Sequence, residues 1–185
     1  LSKPVIPNQI LLCLKKNIDN KKIVTEKSTM AYQQAFRELS MRISDRLSLS
    51  EWDALYKELV YWELELGKIE DSGVAEILAN QKEEANIQFA KFISKNYLNW
   101  LTGKCDEKPS LSHTVLKDKL FPTLNESHPV FLFVIDNLRF DQWKTIQPMI
   151  QDFYRVEDES ICYSILPTAT HYARNALFSG LMPSV

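Results

Sequence analysis

Cysteine is scarce and scattered in this chain of 185 residues: Cys13, Cys105 and Cys162 stand far apart, in no C-x-x-C spacing. An odd and dispersed set argues against a disulfide framework and a structural zinc knuckle, and it fits a reducing cytoplasm. Long apolar runs are missing too. No stretch approaches the roughly 20 residues that span a bilayer, and no signal peptide opens the sequence. The expectation is a cytoplasmic protein with no membrane insertion. Nor is there an excess of one charge: a formal net charge of −2 gives no global case for nucleic-acid or membrane binding. What is present is ordinary globular composition, 45% hydrophobic, 11% aromatic and 25% charged, which argues against disorder over most of the length. Both ends read as cut, since the chain opens without Met and stops at Pro183-Ser184-Val185 just after a motif.

Charge separates along the chain. Residues 1–48 carry nine Lys/Arg against four Asp/Glu, and residues 51–84 carry ten Asp/Glu against three Lys. Helices whose solvated faces complement one another account for this. Pro7 suits the first turn of a short helix carrying Ile10, Leu11 and Leu14, with Lys15 and Lys16 towards its C-terminus. Residues 25–48 then read as a long helix, with Tyr32, Phe36, Leu39, Ile43 and Leu47 at helical spacing. Ser50, followed by Asp53, is the expected cap of a second helix. Its stripe is Trp52, Leu55, Leu59, Trp62 and Leu66, and Gly67 marks its end. A third helix follows Asp71-Ser72-Gly73 and runs to about Leu101, with Leu78, Ala85, Phe89, Phe92, Ile93 and Trp100 on one side and Gly103 closing it. Three antiparallel amphipathic helices make a three-helix bundle, whose aromatic stripes are core.

From Thr102 to Pro129 the texture is that of a linker, broken by Lys108-Pro109, Phe121-Pro122 and His128-Pro129, with a short helix expected over Leu111–Leu120. His113 and His128 fall there and are expected to be exposed. Val130-Phe131-Leu132-Phe133-Val134-Ile135 is a continuous apolar run, the pattern of a central strand buried on both faces. A helix over Arg139–Ile150, a strand over Tyr154–Ser160 and a helix over Thr170–Phe178, closed by Gly180, complete a βαβα order. That order predicts the start of an α/β sheet.

Two places could carry chemistry. Asp136 directly follows the apolar strand, and in open α/β sheets ligands bind outside the strands' carboxyl ends. Asp-Asn is equally good turn chemistry. Thr170 stands where a strand-to-helix turn opens a helix, so its hydroxyl would sit by free N–H groups and a positive dipole. On position alone a plain N-cap is the commoner reason for a Thr in that place.

Read together, Val134-Ile135-Asp136-Asn137-Leu138-Arg139-Phe140-Asp141-Gln142-Trp143, Leu166-Pro167-Thr168-Ala169-Thr170 and Phe178-Ser179-Gly180-Leu181-Met182-Pro183 resemble the opening of a PglZ domain, of the alkaline phosphatase superfamily. That resemblance implies zinc, with Asp136 as a ligand and Thr170 as nucleophile and further metal contact. It selects Thr170 over Thr168 because the nucleophile stands about ten residues before the Gly-Leu-x-Pro turn. It also implies that the remaining Asp and His ligands lie beyond residue 185. Asn137 departs from the Asp-Gly of better-known phosphodiesterases. Asn137, Asp141 and His171 are candidates for substrate or supporting contacts. For Arg139 and Asp141 the default readings are a helix start and a cap.

Separately, Lys3-Pro4 before a helix opening at Pro7-Asn8-Gln9 resembles the end of a response-regulator receiver. There the lysine, here Lys3, would contact the phosphorylated aspartate. The order of receiver end (1–20), three-helix connector (21–103), linker (104–129) and PglZ start (130–185) resembles PorX-type regulators of type IX secretion. The expected fold class is therefore α plus α/β. The resemblance implies a sensor histidine kinase upstream, a sigma factor or secretion component as partner, a homodimer, and an oligonucleotide-type substrate. A rival reading is a non-catalytic PglZ module working through receiver-controlled protein–protein contact. A DNA-binding output is disfavoured, because no Arg/Lys-rich recognition helix follows residue 20 and residues 51–84 are acidic.

Overall fold

The apolar spacing of residues 32–92 is realised as three helices around one core. The computed structural model describes residues 30–44, 46–68, 72–105, 107–125 and 128–183. The expected receiver end, with Lys3, lies outside them. Helix α1 covers residues 30–44, α2 Leu49–Leu66 and α3 Ser72–Thr102. The chain divides into two units between Phe92 and Ile93, and no helix among the described residues is long and apolar enough to cross a membrane.

In the first unit, Tyr32, Leu39 and Ile43 of α1 share a core with all five stripe residues of α2 and with Val74, Leu78 and Ala85 of α3. Phe36, Leu47, Phe89 and Phe92 pack against it half-buried. The pairing is antiparallel at both contacts. Tyr32, early in α1, meets Trp62, late in α2, at 5.3 Å between ring centroids, and Arg42, later in α1, pairs with Glu58. Trp52, at the start of α2, meets Phe89 and Phe92 at 5.2 and 5.9 Å, while Glu63 pairs with Lys82 at 2.7 Å.

The cap of α2 corrects the sequence reading. Ser48, two residues before the expected Ser50, is the N-cap, and Glu51 rather than Asp53 closes the box. The Ser48 N–H donates to Glu51 Oε2 at 2.8 Å, and the Glu51 N–H donates to Ser48 Oγ at 3.4 Å. A Glu at the third helical position is long enough to reach back to the cap backbone. The Ser48 N–H and the Ser48 hydroxyl, which donates to the same Oε2 at 2.7 Å, hold the Glu51 carboxyl below the usual range.

A polar cluster also crosses this core. The Tyr32 hydroxyl donates to Gln81 Oε1 at 2.7 Å, and Gln81 Nε2 donates to Phe36 O at 3.1 Å and Ser40 Oγ at 2.9 Å. Gln81 is buried, and its amide is satisfied on both sides, as a buried polar group must be. Burial pushes Tyr32 up to about 12 from its ordinary 10.0. The unfolded phenol ionises first as pH rises, so the stability that Tyr32 contributes is full below pH 10 and is lost as pH climbs towards 12. Alkaline titration of helix content should therefore show a loss of stability above pH 10 that is reduced in Tyr32→Phe; an identical profile in the variant would contradict it.

The second unit contains less regular structure. Here Tyr163 lies parallel to Leu111 in a single bridge. The Tyr163 N–H donates to Ser110 O at 2.8 Å and the Ser112 N–H to Tyr163 O at 3.0 Å, and the Ile165 N–H reaches Ser112 Oγ at 3.1 Å. Leu111 and Ile165 are fully buried there, and Trp100 packs edge-on to the Tyr163 ring. The Tyr97 hydroxyl accepts the Leu166 N–H at 2.7 Å. After the bridge come a π turn, Leu116–Leu120, and a 3₁₀ turn, Phe121–Thr123. Helix α4 spans Phe140–Gln151 and α5 Thr170–Ser179, each within a residue of expectation. Trp143 Nε1 and Lys144 Nζ both reach Glu159 Oε2, at 3.0 and 2.8 Å, tying α4 to the segment that follows it.

The expected strands are the main departure. Neither Val130–Ile135 nor Tyr154–Ser160 forms a ladder. All six side chains of the apolar run are exposed, Phe131 at 76% and Phe133 at 83%, against the expectation of burial on both faces. A strand acquires backbone partners only from neighbouring strands, and the described residues bring none beside this run. His113 departs in the other direction. It is half-buried, with Nδ1 enclosed and unpaired, and that burial lowers its pKa. His128 is exposed.

Candidate functional site

The turn after the apolar run is built by Asn137, which takes φ 60°. Asn tolerates this left-handed region better than most residues. Its N–H donates to Asp136 Oδ1 at 3.0 Å. The turn role foreseen for Asp-Asn is thus real, and it occupies one carboxylate oxygen. The other, Oδ2, accepts from Arg174 Nη1 at 3.3 Å. Asp136 and Arg174 are both more than half exposed.

Arg174 is on α5, whose start is the second candidate element. The N-cap of α5 is Ala169, not Thr170. Thr170 is the first residue of the helix, exposed, so its hydroxyl is not consumed in capping. At the far end Gly180 adopts φ 68°, and its N–H returns to Ala176 O at 3.0 Å; the left-handed conformation is the one that glycine takes without strain. Residues four apart on a helix share a face. Thr170 and Arg174 therefore lie one turn apart on one side of α5, and the ion pair brings Asp136 to that side. The first turn of α5 adds the positive end of the helix dipole and its opening backbone N–H groups, of which that of Tyr172 already donates to Ala169 O at 2.9 Å.

The remaining candidates fall into place individually. Arg139 is the N-cap of α4, and its N–H donates to Gln142 Oε1 at 3.1 Å. Its guanidinium holds Asp141 through two bonds, 2.9 and 2.7 Å. The bond from Arg139 keeps the Asp141 carboxyl below the usual range. Arg139 stands at the helix start as expected, whereas Asp141 does not cap: it lies in the first turn, and the reciprocal bond to the cap backbone comes from Gln142. His171 is exposed, its ring 4.2 Å from that of Tyr172. Sequence reasoning did not single out Arg174; the available signal was its i+4 spacing from Thr170 in Thr170-His171-Tyr172-Ala173-Arg174.

As a metal locus the arrangement has the right donor chemistry and too few donors. A carboxylate and a hydroxyl are oxygen ligands that zinc accepts, but a catalytic zinc usually takes three protein ligands. Among the described residues there is no group of three or more His, Cys, Asp or Glu side chains that could hold a metal ion.

Comparison with protein families finds two matches along the chain. Residues 22–101 match the PorX response regulator linker domain, and residues 115–185 match the BREX system PglZ alkaline phosphatase-like domain. No curated protein matches the chain. The two matches define a response-regulator linker joined to a phosphatase-like output domain. Together they support a PorX-type regulator with a PglZ domain.

Proposed function

We propose that this protein is a two-component response regulator whose output domain is a zinc-dependent phosphodiesterase, acting on oligonucleotide-type substrates in the control of type IX secretion. In this reading residues 1–20 end a receiver in which Lys3 contacts the phosphorylated aspartate, placed there by a sensor histidine kinase. Residues 21–103 connect, 104–129 link, and 130–185 open the PglZ domain. The observation that carries the catalytic reading is the Asp136–Arg174 ion pair, which brings a turn carboxylate to the face of α5 that begins with Thr170.

Zinc bound at Asp136, with ligands from outside the described residues, would lower the pKa of a nearby hydroxyl and offset charge on the phosphate. The chain's own part is then as follows. Thr170 Oγ1 attacks phosphorus, the bond to the leaving alcohol breaks in line, and the hydroxyl proton passes through solvent to the departing oxygen. Water next cleaves the phosphothreonyl ester and restores the hydroxyl. The N–H groups opening α5 lie where the negative phosphoryl oxygens would gather.

Zinc content and hydrolysis of bis-p-nitrophenyl phosphate by the full-length protein test this directly. Asp136→Ala is expected to reduce bound zinc and to remove zinc-dependent turnover. A wild-type protein with neither zinc nor turnover would instead favour a PglZ module that works by protein–protein contact. Intact zinc and turnover in Asp136→Ala would move the metal ligand elsewhere.

A further inference from the structure

Four residues before Thr170, the chain is tied to the end of α3. Tyr163 pairs with Ser110 and Ser112 through both of its backbone groups, and the Ile165 N–H goes to Ser112 Oγ at 3.1 Å. The next N–H along, that of Leu166, goes instead to the Tyr97 hydroxyl at 2.7 Å, 69 residues away in sequence. Trp100, three residues on from Tyr97 and on the same side of α3, is buried with its ring edge-on to that of Tyr163. Leu166 is exposed, so water could satisfy its N–H, and the bond is not needed to avoid an orphaned donor. What the hydroxyl adds is a fixed place for the backbone. Beyond Leu166 stand Pro167, whose ring fixes φ, then Thr168 and the Ala169 cap of α5. The chain from Leu166 to Thr170 extends about 14 Å at most, which leaves little slack between the bond and the helix start.

Resting on the assignment of Thr170 as nucleophile in the phosphodiesterase reading above, we propose that Tyr97 is a positioning residue for that hydroxyl. Through its bond to the Leu166 N–H, the end of α3 sets where the helix carrying Thr170 begins. Tyr97 and Trp100 fall inside the linker-domain match, yet they lie in the second unit together with the residues of the phosphatase-like match. The linker domain thus contributes a support to the output domain that it precedes. A shift at the end of α3 moves Leu166, and a misplacement of the attacking oxygen by about 1 Å lowers the rate steeply. Tyr97 holds backbone rather than substrate, so its loss falls on the rate of attack and spares substrate binding.

The test uses the full-length protein and Tyr97→Phe, which keeps the ring and its packing and removes the hydroxyl alone. Turnover of bis-p-nitrophenyl phosphate is expected to fall roughly tenfold in kcat with KM held within about twofold. Site-resolved hydrogen exchange at the Leu166 amide should become roughly fivefold faster, the scale of losing one net hydrogen bond. Tyr154→Phe, an exposed tyrosine of the same unit, should change neither. Exchange at Leu166 equal to that of the wild type would overturn the proposal, as would an unchanged kcat, and either result would leave the phosphodiesterase reading standing. A wild type without turnover would overturn both.

Discussion

Thr170→Ala is expected to lower hydrolysis of bis-p-nitrophenyl phosphate on the order of a thousandfold or more, the scale at which removal of a nucleophile is felt, while zinc content stays within a few-fold of the wild type. The fold should be unaffected. Thr170 is exposed, it is not the N-cap of α5, and alanine is a better helix former than threonine at this first helical position. Thr168→Ala is the matched control. Thr168 is also exposed, but it stands before the Ala169 cap and outside the helix, so its hydroxyl lacks the first-turn N–H groups beside it. Steady-state turnover of both variants, with circular dichroism to confirm folding, decides between them. Near-wild-type turnover in Thr170→Ala would remove the nucleophile assignment, and a selective loss in Thr168→Ala would transfer it.

The helical part of this protein was legible in its sequence because periodicity reports burial directly. Trp52, Leu55, Leu59, Trp62 and Leu66 repeat at three and four, and all five are buried. What periodicity could not report is a polar residue at a core position. Gln81 is indistinguishable from a surface glutamine until Tyr32, 49 residues earlier, is found donating to it. The cap of α2 was misplaced by two residues for a local reason. Ser48 and Ser50 both look like caps, and the choice rests on whether Glu51 or Asp53 can reach back. At the candidate site the same division holds. Asp136 and Thr170 were visible as a strand-end carboxylate and a helix-start hydroxyl, residue types whose chemistry is evident one at a time. The pairing of Asp136 with Arg174 was not, since it depends on where a turn at Asn137 sends the chain. The apolar run Val130–Ile135 shows the limit most plainly. Its composition reports a demand for burial, whereas a ladder depends on partners that composition does not contain.

In the bundle the largest effect should follow Leu55→Ala, which is expected to cost about 2–5 kcal/mol, the range for truncating a fully buried leucine. Leu55 has no exposed surface and lies within the cluster formed by all three helices, so a cavity there removes contacts from several neighbours at once. Trp52 and Trp62, members of the same cluster, are each already held against other rings, which limits how far the cluster can collapse into that cavity. Ile87→Ala on α3 is the comparison. Ile87 is 47% exposed, and alanine raises helix propensity, so its change should be small. Hydrogen exchange resolved by peptide separates this unit from the rest of the chain. Leu55→Ala should speed exchange across α1, α2 and α3 together, because the three helices share one core and open as one. Faster exchange confined to α2 would mean that the three helices are not a single cooperative unit. In that case the Tyr32–Gln81 bond, which joins α1 to α3 without passing through Leu55, would be what keeps the other two helices paired.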